Sequence, residues 1–336
     1  MSRLAEPHQS ELREVLNMDG IVPDPEEQLA TRAAWLYFVG DSTQAQIAKK
    51  LGLTRQRVNR LLAYAREHGL VQVSVSGKLA NCVALEHELT RAYGLKDAVV
   101  VPSPGDAAQL RTVIAAAAGQ YLSSQLQDGM SLGVGWGRTL RQSLASVPRK
   151  TFRKFSVVSL IGGLTQSSAV NPHETASHLA DIIGAECFYF AGPAYTDSAE
   201  SLDVLMKQPM LRDVMERGQK VDLAFLSVGD VTAQSTMVGL NLITRDEMES
   251  LRARGATGDV CSHWINVEGE MVDHPLNRRA VGLAPDDLRK IKDCILVSGG
   301  KAKVDVIHGA LRARLANRIV TDEQTARQVI AMAGET

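Results

Sequence analysis

The chain has 336 residues, 45% of them hydrophobic, with 37 Lys and Arg against 38 Asp and Glu. At about 150 residues per domain that length points to two domains with at least one large core. Balanced charge, 27 Gly and 11 Pro exclude a disordered, collagenous or low-complexity chain.

Taken from the amino end, residues 1–30 carry two basic residues against seven acidic ones and read as a flexible acidic extension. Residues 31–78 reverse the sign, with eight basic residues against two acidic. A compact basic segment beside near-neutral bulk suits a polyanion, because each Lys or Arg that meets a phosphate releases counterions. A solvated basic helix face would carry the same charge, so the spacing has to decide.

Thr31–Val39 is a short apolar helix pattern ending at Gly40. Beyond it Ala45, Ala48 and Leu51 share one helical face, with Ile47 beside them and Ser42 or Thr43 as N-cap. Gly52 can take the positive φ of a tight turn, Leu53 packs that turn, and Thr54 caps a second helix whose inner face is Val58, Leu61 and Leu62. A small residue, a turn glycine and a β-branched wedge at Ala48, Gly52 and Val58 are what two helices crossing at about 90–120° require. Residues 31–78 therefore read as a helix-turn-helix DNA-binding domain. Thr54, Arg55, Gln56, Arg57, Asn59 and Arg60 are its candidate DNA contacts, since Arg bonds guanine edges and Asn or Gln adenine edges in a major groove. The alternation of Leu70–Val75 suggests a small wing. The aromatics of this domain are few (Trp35, Tyr37, Phe38, Tyr64) and mostly at core-like positions, which gives little support to stacking readout of single-stranded RNA.

After a helix pattern at Val83–Tyr93, short apolar runs alternate with helical stretches over 79–336. Ala98–Val101, Ser131–Val134, Ser156–Leu160, Glu186–Phe190, Leu223–Val228 and Cys294–Val297 are expected strands. The expected helices are Gln109–Gln127, Thr139–Ser146, His173–Ile183, Leu202–Lys207, Arg245–Arg254, Asp286–Lys292 and Val304–Leu315. Such alternation predicts a mainly parallel α/β sheet covered on both faces, with ligands bound beyond the carboxyl ends of its strands.

The first strand-end loop, Gly133-Val-Gly-Trp-Gly-Arg-Thr-Leu, leads through three glycines into a helix. Gly135 and Gly137 can turn backbone N–H groups toward an anion, Arg138 and Thr139 add donors, and Trp136 supplies a flat wall. The spacing is GxGxG rather than GxGxxG, and no acidic residue follows the next strand, so no nicotinamide cofactor is expected. Asn171, Asp230, Asp259, Lys301 and Lys303 stand at other strand ends, where carboxylates accept hydroxyl hydrogens and lysines meet phosphate. No cofactor, metal or catalytic set emerges. His173 and His178 are five apart, not the four of a zinc helix, and no GxSxG or GxxxxGK[ST] loop occurs. Cys82, Cys187, Cys261 and Cys294 form no CxxC pair. No apolar run approaches the roughly 20 residues of a bilayer span. The amino end lacks the apolar core of a signal peptide, so a cytoplasmic protein is expected.

A helix-turn-helix ahead of an α/β ligand domain resembles the SorC family of bacterial sugar-binding transcriptional regulators. Gly133–Leu140, Gly258-Asp259-Val260, Val297-Ser-Gly-Gly-Lys-Ala-Lys and Ala310-Leu-Arg with Ile319-Val-Thr-Asp-Glu-Gln-Thr-Ala carry the resemblance. It implies an effector and oligomerisation domain over 79–336 related in fold to sugar-phosphate isomerases and deaminases. It also implies a homo-oligomer, commonly a tetramer, that binds double-stranded operator DNA and responds to a sugar, polyol or sugar phosphate. By position the family's ligand loop falls on Gly135, Trp136, Gly137, Arg138 and Thr139, its acidic contact on Asp259 and its lysine on Lys301 or Lys303. The family holds repressors and activators. The competing expectation is a sugar-phosphate isomerase or deaminase fused to a DNA-binding domain, with Asp230 or Asp259 as base.

Overall fold

A computed structural model of the chain describes residues 24–40, 42–71, 79–164 and 171–334. Its contacts divide the chain into two units, Met1–Gln72 and Val73–Thr336.

The first unit is a helical cluster of Pro25–Phe38, Gln44–Leu51 and Arg55–Glu67. Its opening helix starts six residues before the expected Thr31. Asp24 caps it by accepting from the Glu26 N–H at 3.0 Å, Pro25 sits in its first turn, and Glu26 and Glu27 follow. The acidic charge at the end of the supposed extension is thus a helix start, where carboxylates meet the positive end of the dipole. Small residues on this helix (Ala30, Ala33, Ala34) let Ile47, Ala48, Val58, Leu61, Leu62 and Ala65 close a core over it. The expected wing, Leu70–Val75, lies from residue 72 on outside the described residues.

The second unit is built on seven strands: β1 (Asp97–Val101), β2 (Ser131–Val134), β3 (Ser156–Ser159), β4 (Glu186–Phe188), β5 (Leu223–Leu226), β8 (Asp293–Val297) and β9 (Arg318–Asp322). They are all parallel, in the order β1-β9-β8-β5-β2-β3-β4. A separate antiparallel hairpin pairs β6 (Gly258–Val260) with β7 (His263–Ile265). Leu223, Phe225, Ile295 and Val297 face one core, while Ala224, Leu226, Cys294 and Leu296 face the other. That period-two split, with apolar cover on both faces, is why these strands read as unbroken apolar runs.

The chain turns to β3 after β2 and to β8 after β5, so the sheet reverses its winding between the neighbours β2 and β5. At such a switch point the loops leave in opposite directions and open a crevice beyond the carboxyl ends.

Candidate functional site

In the helical unit, Thr43 rather than Ser42 is the N-cap, and with Gln46 it forms a capping box. Gly52 ends that helix at φ 67°, and the Thr54 hydroxyl accepts from the Arg57 N–H at 3.2 Å to start the next. Thr54, Arg55, Gln56, Asn59 and Arg60 all lie exposed. Asn59 Oδ1 accepts from Gln44 Nε2 at 2.7 Å, and Gln44 Oε1 accepts from Arg55 Nε at 3.5 Å. Gln44 thus joins the face from the preceding helix. Sequence spacing missed it, although it directly follows the cap residue. Arg57 differs from its neighbours: it is half-buried and ion-paired with Glu26 of the opening helix. It ties the recognition helix to its support, whereas Gln56 and Arg60 have no such tie among the described residues.

In the sheet unit, the loop after β2 leans on β5. The Gly135 N–H donates to the Phe225 carbonyl at 2.9 Å, and a Cβ on Gly135 would crowd Leu226 at 3.2 Å. Gly137 has φ 130° and lies beside Ser227, just past β5. A side chain would fit poorly at either position. The loop therefore crosses the switch point as the glycine pattern predicts. Trp136 is only 8% exposed and packs in the core, so it braces the loop from behind. Arg138 is exposed at the start of the helix Arg138–Ser143, and Thr139 is half-exposed beside it.

Three of the expected polar residues meet at the same place. Lys303 Nζ lies 2.9 Å from Asp230 Oδ2 and donates to the Val228 carbonyl at 2.8 Å. Asp230 also accepts from the Thr232 N–H at 2.9 Å. Burial raises the Asp230 carboxyl, but Lys303 and Thr232 outweigh it and hold it below the usual range. Val228 bridges Val260, which brings in the β6–β7 hairpin and Asp259. Asp259 is 2% exposed, and burial pushes its carboxyl up to about 6 against the pull of Lys303. Its Oδ2 accepts from the Ser262 N–H at 3.2 Å, while its Oδ1 lies against Gly229, whose N–H helps to hold the carboxyl down, and makes no well-formed hydrogen bond among the described residues. A buried oxygen without a hydrogen bond costs free energy until something donates to it.

Two devices that hold this cluster were not legible in the sequence. Cys261 and Ser262 both have positive φ, 50° and 67°, and turn the hairpin as only a primed turn can. Asp322, buried at the end of β9, accepts from the Gly300 N–H at 3.3 Å and the Ser103 hydroxyl at 2.6 Å. Thr325 accepts from the same Gly300 N–H at 2.7 Å. Together they pin the loop that carries Lys301 and Lys303.

Asn171 and Lys301 do not join the cluster. Asn171 is the buried N-cap of Pro172–Ile183, accepting from the His173 N–H at 3.2 Å and donating to the Leu164 carbonyl at 3.1 Å. Those bonds give it a structural task that competes with a ligand contact. Lys301 is exposed at the start of a short 3-10 turn. An open cavity of about 470 Å³ lies away from the crevice, lined by Tyr93, His308, Arg312 and Arg314 near the amino ends of β1 and β9. Among the described residues no group of three or more His, Cys, Asp and Glu could hold a metal ion. Among them, too, no helix is long and apolar enough to cross a membrane.

Comparison with known proteins matches these two halves separately. Residues 77–331 match a sugar-binding domain model (Sugar-bind), and residues 33–78 match the MarR family. The chain belongs to the sugar-binding-domain family of transcriptional regulators. It is 31% identical over 311 residues to the erythritol catabolism regulatory protein EryD of Brucella abortus, covering 91% of this chain and 98% of that one. With the deoxyribonucleoside regulator of Bacillus subtilis it shares 33% identity over 307 residues, covering 90% and 97%. The full-length sorbitol operon regulator SorC of Klebsiella pneumoniae superposes with a TM-score of 0.69 at 26% identity, covering 91% of this chain and all of that one. These relatives are named regulators, and this chain is a helix-turn-helix regulator with a sugar-binding domain.

Proposed function

We propose that this regulator controls a carbohydrate or polyol catabolic operon and that a sugar, polyol or sugar phosphate binds in the crevice between β2 and β5. The observation that carries this reading is Asp259 Oδ1, buried without a well-formed hydrogen bond beside the Asp230–Lys303 pair where the glycine loop of β2 crosses. A ligand hydroxyl is the donor that this oxygen lacks. Asp230 and Lys303 orient neighbouring hydroxyls, and Gly135, Gly137, Arg138 and Thr139 line the other wall. Arg138 and Lys301, both exposed, stand at the rim, where a phosphate would remain partly solvated.

On the DNA side, Thr54, Arg55, Gln56, Asn59 and Arg60 face the operator with Gln44, and Arg57 mainly supports them. The cytoplasm is where such a protein meets double-stranded DNA. The functional form is a homo-oligomer, a tetramer in the fullest reading, and its two-fold axes call for a roughly palindromic operator. Ligand changes operator affinity only by binding the DNA-competent and DNA-incompetent states with different strength.

The test is a thermal-shift screen of the full chain against sugars, polyols and their phosphates, repeated with Asp259→Asn. A ligand at 100 times its Kd adds about 2.7 kcal/mol of stability. The reading expects a stabilising ligand whose effect Asp259→Asn removes. A ligand that stabilises both proteins equally would overturn the assignment of Asp259.

A further inference from the structure

Asn59 is exposed on the recognition helix Arg55–Glu67, one turn after Arg55, so the two side chains leave the same face. Gln44, the first residue of the helix Gln44–Leu51, reaches both. Its Nε2 donates to Asn59 Oδ1 at 2.7 Å, and its Oε1 lies 3.5 Å from Arg55 Nε, at the long end of a hydrogen bond. The side chains of Arg55, Gln44 and Asn59 thus form one polar chain across the turn between the two helices.

Donors and acceptors in this chain can run only one way. A guanidinium has N–H donors and no acceptor, so the atom of Gln44 beside Arg55 has to be the amide oxygen. That turns the Gln44 amide nitrogen to Asn59, and a donor there requires the Asn59 carbonyl. The Asn59 NH2 is left on the opposite side, with no partner among the described residues. Arg55 keeps its terminal NH2 groups for a guanine or a phosphate. An isolated exposed Asn turns its amide either way at little cost and offers oxygen or nitrogen as the base requires.

We propose that Gln44 is a positioning residue for operator specificity. It holds Asn59 with the NH2 presented to the groove, so Asn59 reads hydrogen-bond acceptors, and Gln44 needs no base contact of its own to do so. The inference rests on the DNA-binding reading above and adds the polarity of one contact. Guanine presents two acceptors, N7 and O6, whereas cytosine presents only its N4 donor. Guanine is therefore favoured over cytosine at the position that Asn59 meets. Water competes for these side-chain bonds in the free chain; DNA excludes it on docking and strengthens them.

Selection by the full chain from a randomised pool of DNA duplexes, read by sequencing, tests this. Asn59→Ala locates the position, as the one where base preference collapses. There the wild type should favour guanine over cytosine by at least about tenfold. Gln44→Leu keeps a good helix former but frees the Asn59 amide, and should cut that ratio at least about threefold. Gln44→Glu is the sharper variant, and a carboxylate suits the first turn of a helix. It only accepts, so it can hold Arg55 but must take the Asn59 NH2, which turns the Asn59 carbonyl to the groove. The order should then reverse to cytosine over guanine, whatever the added charge does to overall affinity. A purely structural role for Gln44 would weaken binding to all sequences alike and leave the order unchanged. A wild-type chain that selects no sequence would overturn the DNA-binding reading and this inference with it. Selection indifferent to Asn59→Ala, or a wild type that ranks cytosine above guanine, would overturn the Asn59 contact alone. A guanine preference that Gln44→Glu leaves in place would overturn the role of Gln44.

Discussion

Replacing Asp259 by Asn should stabilise the protein at neutral pH and leave its stability near wild type in acid. Burial raises this carboxyl from 3.8 to about 6 in the folded chain. A shift of about two units at about 1.36 kcal/mol per unit is worth roughly 3 kcal/mol. The sign follows from proton binding. Below about pH 4 both folded and unfolded chains hold the proton, and the group makes no difference. Between about pH 4 and 6 the unfolded chain releases a proton that the folded chain keeps, so stability falls as pH rises. Above pH 6 the full penalty applies. Asn carries no charge at any pH and can still accept from the Ser262 N–H. Asp259→Asn should therefore exceed wild type by up to roughly 3 kcal/mol at pH 7.5, or about 6 °C in melting temperature for a domain of this size. Urea denaturation followed by tryptophan fluorescence at pH 4 and pH 7.5 measures the difference. A stability difference that is the same at both pH values would refute the reasoning. The substitution should at the same time abolish ligand-induced stabilisation, so a gain in stability would accompany a loss of response.

Three other outcomes are expected. Gly137→Ala, which puts a Cβ at φ 130°, should cost about 1–3 kcal/mol of unfolding free energy and weaken ligand binding measured by calorimetry. Arg60→Ala should weaken operator binding and lower the salt slope of the binding constant by about one, as read by fluorescence anisotropy over a salt series; Arg57→Ala should instead cost up to about 1 kcal/mol of stability, because its half-exposed pair with Glu26 braces the unit. The Tyr93 hydroxyl donates to the Val329 carbonyl at 2.7 Å and lies 2.6 Å from His308 Nδ1, joining three helices. Tyr93→Phe should cost about 1–2 kcal/mol in chemical denaturation and leave operator affinity without ligand unchanged.

Elements with strong local signals were legible. Ser131–Val134 was placed to the residue, and the Gly52 turn with its Thr54 cap needed only spacing and conformational preference. The misses have physical causes. The helix from Pro25 was hidden because its acidic first turn resembles a solvated tail. β6 and β7 are three residues each, too short for a period-two pattern, and their turn uses Cys261 and Ser262 where glycine or asparagine would announce it. β9 ends in the polar Thr321-Asp322, so its run looked like a motif rather than a strand, and with it went the role of Asp322. The helix Pro209–Gln219 turns a narrow inward face of Leu211, Val214, Met215 and Gly218, of which only Gly218 is fully buried, so its pattern was weak. Within the site, the glycine loop and the Asp and Lys types could be read from sequence. The pairing of Asp230 with Lys303, the isolation of Asp259 Oδ1 and the capping task of Asn171 depend on which strand ends become neighbours, and sheet order decides that.

Binding of the purified chain to DNA from upstream of its own gene, measured by fluorescence anisotropy with and without the ligand found by thermal shift, tests the central claim most directly. The account predicts nanomolar, salt-sensitive binding that the ligand changes by at least about fivefold without being consumed. Binding that is indifferent to the ligand, or a ligand that is turned over, would contradict it.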